Sequence, residues 1–131
     1  MADISLNKDS RFDVDLAFGN IREERVADIF ENKKIEVKTE RGIWTRSGNI
    51  AIEIEWNGKP SGIMTTQADY WFHILEKDEQ EICMISLPIE KLRQLVLSTQ
   101  FRRVKGGDDM KAVLVLIPLR NMFQILGDLH E

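Results

Sequence analysis

The chain has 131 residues, of which 43% are hydrophobic and 31% charged, so it is long enough to bury a core without disulfides. Its formal net charge of −4 argues against a dedicated nucleic-acid-binding module, which ordinarily carries a basic excess. Basic residues at 59–62 and 101–107 could still form the rim of a binding site, although such loops are usually only solvated.

The sequence also limits location and redox chemistry. No apolar run approaches the roughly 18 residues of a membrane span, and the N-terminus has no signal-peptide core. A cytoplasmic location, in a bacterium or a phage-infected host cell, is therefore the default expectation. The single cysteine, Cys83, excludes an intramolecular disulfide and is expected to be a buried structural thiol.

The first predicted element is a helix preceded by a short lead-in. Residues 12–16 alternate apolar and acidic side chains, which favours either an edge strand or a structured lead-in. Asn20 and Glu23 have the spacing of an N-cap and its capping-box partner, so a helix is predicted from Ile21 to about Asn32. Glu23 shares the apolar face of this helix, and it is either a capping carboxylate alone or an acid directed toward the sheet.

Strand patterns follow, and two units of strand, proline and helix complete the chain. The strands are predicted at residues 34–44, 49–56, 62–65, 68–76 and 81–87, with another in the unit at 110–127. Pro88 and Pro118 each open a helix, where the missing N–H of proline costs nothing. No linker divides the chain. The sequence therefore predicts a single α/β domain over residues 1–131, with a central mixed β-sheet flanked by helices.

The strands at 34–44 and 49–56 each combine an apolar face with an acidic one, because alternate residues of a strand share a face. A tight turn at residues 45–48 would pair them as a hairpin in which Glu40 faces Glu53 and Lys38 faces Glu55. A broader loop would make Glu36 face Glu53 instead. The tight turn is preferred, because Ile43 and Trp44 are typical strand residues.

Opposed carboxylates destabilise a strand pair by up to about 1 kcal/mol, so this face needs compensation. Either it is solvated and neutralised by Lys38, Arg41 or Lys59, or it binds a hard divalent cation. Proteins usually hold Mg²⁺ by one or two carboxylates, with waters and substrate phosphate completing the shell. An inward-facing helix acid, an acid on one strand and an acid-x-acid pair on the next together favour the cation.

This combination resembles the PD-(D/E)XK, or restriction-endonuclease-like, nuclease superfamily. The helix "NIREERVADIF" is similar to the leading helix of its Holliday-junction resolvases and carries Glu23 at the matching position. "KTE" supplies the first acid, Glu40, and "IEIE" supplies Glu53 and Glu55 at the acid-x-Lys position. The segment from "EVKTE" to "ADYWFHI" is also similar to small phage-encoded members. The resemblance covers about residues 19–97, the expected nuclease-like core.

The sequence departs from the superfamily pattern at two positions. Glu40 stands where an aspartate is usual, and Glu55 stands where the lysine is usual. In some members the lysine has moved to a neighbouring strand, and Lys38 is the candidate for that role here. Two assignments stay open: whether Glu36 or Glu40 is the first acid, and whether Glu23 or Glu24 is the helix acid.

The resemblance implies a Mg²⁺- or Mn²⁺-dependent DNA endonuclease with a restriction-endonuclease-like core. Its substrate would be branched or otherwise structured DNA, and it would act as a homodimer with no membrane association and no organic cofactor. The implied metal ligands are Glu40, Glu53 and the Ile54 carbonyl, and the implied catalytic residues are Glu23, Lys38, Glu40, Glu53 and Glu55. The alternatives are an inactive nuclease-fold interaction or structural protein, and an acidic DNA-mimic inhibitor, which fits an isoelectric point of about 5.3.

The remaining candidate residues have little predicted chemistry. Two histidines and one cysteine make neither a zinc site nor a nucleophile with its base. His73 is expected to be a packed or half-buried strand residue. Residues 105–109 are expected to form a hairpin turn rather than a phosphate cradle.

Overall fold

The computed structural model of the protein describes residues 10–98 and 101–129. Its contacts divide the chain into two compact units, with the boundary between Lys33 and Lys34. In the first unit, helix α1 (Ser10–Asn32) begins well before the predicted start at Ile21. It runs through the predicted lead-in and through Asn20, which is therefore not an N-cap. A short alternating pattern is weak evidence for a strand, and no proline between Ser10 and Asn32 interrupts the helix.

The second unit contains seven strands and three α-helices among the residues described. In chain order these are β1 (Ile35–Glu40), α2 (Trp44–Ser47), β2 (Asn49–Trp56), β3 (Lys59–Pro60), β4 (Tyr70–Lys77), β5 (Gln80–Pro88), α3 (Ile89–Ser98), β6 (Arg103–Gly106), β7 (Ala112–Pro118) and α4 (Leu119–Asp128). The predicted α/β class, with sheets flanked by helices, is confirmed. The predicted strand at 62–65 is wrong, because a short 3-10 helix, Gly62–Met64, occupies that segment.

The strands form two sheets rather than one central mixed sheet. In the mixed three-stranded sheet, β4 lies between β1, which is parallel to it, and β5, which is antiparallel. The other sheet has four antiparallel strands in the order β3-β2-β7-β6. The hairpin predicted around residues 105–109 is confirmed as β6–β7, although its turn lies at residues 107–111, because Lys105 and Gly106 are paired strand residues.

The predicted β1–β2 hairpin is wrong, since the two strands belong to different sheets. The one-turn helix α2 separates them, and Gly48 ends it in the left-handed conformation at φ 73°. Trp44 is not a strand residue; its indole Nε1 donates a 2.7 Å hydrogen bond to the distant carbonyl of Glu76. Strand β1 pairs with β4 instead, which puts Lys38 opposite His73 rather than opposite Glu55.

A common hydrophobic core joins both sheets to α3 and α4. Its fully buried members come from β2, the 3-10 segment, β4, α3, β7 and α4, and they include Ile50, Ile52, Ile63, Trp71, Leu92, Leu95, Val115, Ile117 and Met122. Burying a large aliphatic side chain contributes about 1.5–3 kcal/mol, so these contacts fix the relative position of the two sheets. A side chain of one sheet that hydrogen-bonds to the other sheet is therefore held in a fixed position.

Strand β5 is exposed at the edge of its sheet, and this accounts for a further wrong prediction. Cys83 lies on β5 and is exposed, not a buried thiol. Its neighbours Ile82 and Met84 are also about half exposed, so the apolar run there reflects an uncovered edge rather than a core strand. In the part of the chain that the structure describes, no helix is long and apolar enough to cross a membrane.

Candidate metal centre

Glu40, the last residue of β1, connects the two sheets through its carboxylate. Its Oε1 accepts a 2.6 Å hydrogen bond from the backbone N–H of Ala51 on β2. The same oxygen lies 3.1 Å from Nε2 of His73 on β4. The side chain of Glu40 is only 17% exposed. Oε1 is thus engaged by both sheets, whereas no described residue donates a hydrogen bond to Oε2.

The hydrogen bonds of His73 determine which of its ring nitrogens carries the hydrogen. His73 is 2% exposed, and its Nδ1 lies 3.0 Å from the indole Nε1 of Trp71. An indole N–H can only donate, so Nδ1 must accept. The neutral imidazole therefore has its hydrogen on Nε2, which donates it to Glu40. The prediction of a packed strand residue is confirmed, but sequence reasoning missed the contact of His73 with the acid.

Glu53 on β2 is held by the segment that follows β3. The Oγ of Ser61 donates a 2.8 Å hydrogen bond to Glu53 Oε2, and the Ser61 N–H donates one of 3.0 Å to the Ile54 carbonyl. Gly62 follows at φ +58°, and a Cβ at this position would overlap the Glu53 carbonyl oxygen. A glycine is therefore required both by the backbone conformation and by the close approach of the two chain segments.

Arg93 on α3 fixes this segment from the other side. Its Nε donates a 2.9 Å hydrogen bond to the Ile63 carbonyl, and its Nη2 donates one of 2.7 Å to the Thr66 carbonyl. Hydrogen bonds from a charged donor are roughly twice as strong as neutral ones. The guanidinium therefore anchors the loop that carries Ser61, and through Ser61 it restrains Glu53.

Glu40 and Glu53 line one cavity of about 160 Å³, which we name the acid cavity. Its lining includes Lys38, Glu40, Ala51, Glu53, Gly62 and His73. The structure thus brings together three of the predicted site residues, although not as a hairpin pair. Glu36 does not line the cavity, so Glu40 rather than Glu36 is the β1 acid found there.

The remaining predicted site residues either do not line the acid cavity or belong to the first unit. Ile54 and Glu55 are not among the residues that line the acid cavity, and the β2–β7 register shifts between Glu53 and Glu55. This bulge breaks the alternation that would have put Glu55 on the face of Glu53. Glu23 and Glu24 are exposed residues of α1, in the first unit.

The donor set of the acid cavity suits a hard cation held by few protein ligands. Among residues 10–98 and 101–129, no group of three or more acidic, histidine or cysteine side chains is placed to hold a metal ion. Two carboxylates are present, and each has one oxygen engaged by neighbouring donors. That arrangement fits Mg²⁺ or Mn²⁺, which keep several waters and take further ligands from substrate phosphate. It does not fit a fully protein-ligated structural metal.

Comparisons with known proteins found no relatives. No protein-family model, no curated protein and no solved structure matches the chain.

Proposed function

We propose that the protein is a metal-dependent DNA endonuclease with a restriction-endonuclease-like core, which hydrolyses phosphodiester bonds of branched or otherwise structured DNA at the acid cavity. The observation that carries the proposal is that Glu40, Glu53 and Lys38 line one cavity. The two carboxylates come from different sheets, and each is oriented by a neighbouring hydrogen-bond donor. Such supporting donors are typical of metal ligands, which need a fixed orientation.

In this proposal Glu40 and Glu53 hold Mg²⁺ or Mn²⁺. A divalent ion held there would supply polarisation of the scissile phosphate and activation of a water. The protein's own residues orient the two carboxylates. His73 and the Ala51 N–H orient Glu40, and Ser61 orients Glu53.

The superfamily pattern has a lysine at the position that Glu55 occupies here. Lys38 is the candidate to supply that ammonium group instead. It is exposed at the lining of the acid cavity, where it can offset the charge of the two carboxylates and contact the substrate phosphate. The roles of Glu23, Glu55 and the Ile54 carbonyl, and the homodimer, remain predictions from the resemblance.

Cleavage assays with isosteric variants test the proposal. Supercoiled plasmid and a four-way DNA junction are incubated with Mg²⁺ or Mn²⁺ and with wild-type protein, Glu53→Gln or Glu81→Gln. Glu81 is an exposed β5 residue outside the acid cavity, so its variant makes the same charge change as a control. We expect Glu53→Gln to lower the cleavage rate by at least about 100-fold, since loss of a supporting contact alone costs a metal site 10–100-fold. Glu81→Gln should cleave as wild type does.

A second readout separates metal binding from catalysis. Mn²⁺ should raise the Tm of wild-type protein and of Glu81→Gln, but not that of Glu53→Gln, because only a bound ion stabilises the folded state. Absence of both cleavage and Tm shift in the wild type would reject the nuclease. It would favour an inactive interaction protein or an acidic DNA mimic.

A further inference from the structure

A second cavity, of about 330 Å³, adjoins the acid cavity at Glu40 and Ala51, which line both. Its lining also includes Arg41, Ser47, Asn49 and Arg102, and we name it the arginine cavity. We propose that the arginine cavity binds a backbone phosphate of the DNA strand, next to the phosphate that is cut. The proposal rests on the proposed function, because it assigns the neighbouring phosphate of the same substrate.

The charges of the two cavities are opposite in sign. Arg41 and Arg102 give the arginine cavity two positive charges against the one carboxylate of Glu40, which is a net +1. Two carboxylates and Lys38 give the acid cavity a net −1. The acid cavity therefore attracts a cation, and the arginine cavity beside it attracts an anion.

Both guanidinium groups are available to a ligand. Arg41 and Arg102 are exposed, and no described residue forms an ion pair with either of them. Glu40, the carboxylate that lines the same cavity, has its Oε1 engaged by Ala51 and His73 instead. A planar guanidinium matches the oxygens of a phosphate in a bidentate manner, which makes a phosphodiester the fitting ligand.

The position of this cavity bears on how an acidic protein can bind DNA. A net charge of −4 repels a polyanion at long range, so affinity must come from local contacts. A strand that crosses the boundary between the cavities would have one phosphate at the arginines and the next toward Glu40 and Glu53. The arginine contacts read no bases and should therefore be independent of DNA sequence.

The test measures binding separately from cleavage, with Ca²⁺ in place of Mg²⁺ and a fluorescein-labelled four-way junction as the probe. The double variant Arg41→Gln/Arg102→Gln is compared with Arg46→Gln/Arg103→Gln, which removes the same charge at exposed neighbours outside the cavity. Fluorescence anisotropy over a range of salt concentrations gives affinity and its salt dependence. Thermal unfolding of both doubles shows whether they are folded.

We expect the loss of each cavity arginine to make the slope of log affinity against log salt concentration shallower by about 1. At 0.1 M salt, each loss should weaken binding about eightfold. The matched double should keep the wild-type slope. Equal slopes for the two doubles, or no binding of the junction by wild type, would overturn the proposal.

The outcome is distinguishable from that of the cleavage assay. If the slope falls only in the cavity double while the wild type neither cuts DNA nor gains Tm with Mn²⁺, the phosphate site stands and the nuclease is rejected. If the wild type cuts DNA and the two doubles bind alike, the nuclease stands and the phosphate site is rejected.

Discussion

His73 Nε2 donates a 3.1 Å hydrogen bond to Oε1 of Glu40, so a buried histidine of β4 orients the carboxylate that ends β1. The contact follows from the parallel pairing of the two strands, which places Lys38, two residues before Glu40, opposite His73. Because Trp71 and the Ala51 N–H complete the network, the carboxylate is restrained from both sheets. The acid is held in position before any ligand arrives.

Replacing His73 should therefore disturb both stability and metal use. In His73→Phe, the buried Trp71 N–H loses its acceptor, which should lower the free energy of unfolding by about 1–3 kcal/mol in urea titrations. Glu40 also loses one of its two donors, and we expect cleavage to fall 10–100-fold and to need more Mn²⁺ for half-maximal rate. A variant with unchanged Mn²⁺ dependence would show that Glu40 does not rely on His73.

The tautomer of His73 can be observed directly. Long-range ¹H–¹⁵N correlation spectra should show a protonated Nε2 and an unprotonated Nδ1, because the Trp71 indole can only donate. The same tautomer should persist in Glu40→Gln, since the Trp71 contact is unchanged and the amide oxygen of glutamine can still accept. Observation of the Nδ1–H form in wild type would contradict the network.

Gly62 and Gly58 form a matched pair for testing the close approach at Glu53. Both have positive φ, at +58° and +81°, but only at Gly62 would a Cβ meet the Glu53 backbone. Gly58→Ala should cost about 1–2 kcal/mol of backbone strain alone. We expect Gly62→Ala to cost about 1–3 kcal/mol more, because the overlap forces two segments apart. Equal losses of unfolding free energy for the two variants in denaturant titrations would mean that the 3-10 segment can move away from Glu53 without a measurable cost.

Local patterns in the sequence were enough to predict several elements. Strand β2 has the predicted bounds, because Ile50 and Ile52 alternate with polar residues and are both buried. The helices predicted after Pro88 and Pro118 are also present, although each proline is the last residue of its strand and the helix begins one residue later than predicted. In each case the signal lies within a few residues of the structure it specifies.

Long-range pairing was not predictable in this way. The β1–β2 hairpin failed because the partner of Trp44 is the remote Glu76 carbonyl, which no local pattern reveals. The role of His73 depends on the parallel register of β1 and β4, and register is set by the fold as a whole. Glu40 and Glu53 were predicted to face each other across a hairpin, and they line one cavity from two different sheets instead. The sequence did contain one signal for the segment that holds Glu53. In "PSG", the glycine Gly62 follows a strand, and a glycine in that position can mark a close backbone approach.

Arg93 should contribute far more to stability than its ion-pair partner Glu90. Arg93→Gln removes charged hydrogen bonds to the Ile63 and Thr66 carbonyls and should cost about 1–3 kcal/mol. Glu90→Gln removes only a salt bridge whose acid is 75% exposed, and it should change stability by less than about 0.5 kcal/mol. Urea unfolding of both variants gives the comparison. Similar losses of unfolding free energy in the two variants would indicate that Arg93 stabilises the fold through the ion pair and not through its contacts with the loop.

Ser61 should act as a positioning residue for Glu53, and its variants can separate this role from simple stability. Ser61→Ala removes the 2.8 Å hydrogen bond to Glu53 Oε2, so we expect cleavage to fall 10–100-fold and half-maximal rate to require more Mn²⁺. Ser61→Thr keeps the hydroxyl and should restore most of the rate and the metal dependence. A purely structural role would instead lower the Tm of Ser61→Ala without changing its Mn²⁺ requirement. Since Ser61 also bonds the Ile54 carbonyl through its backbone N–H, which both variants retain, the segment should stay in place in each.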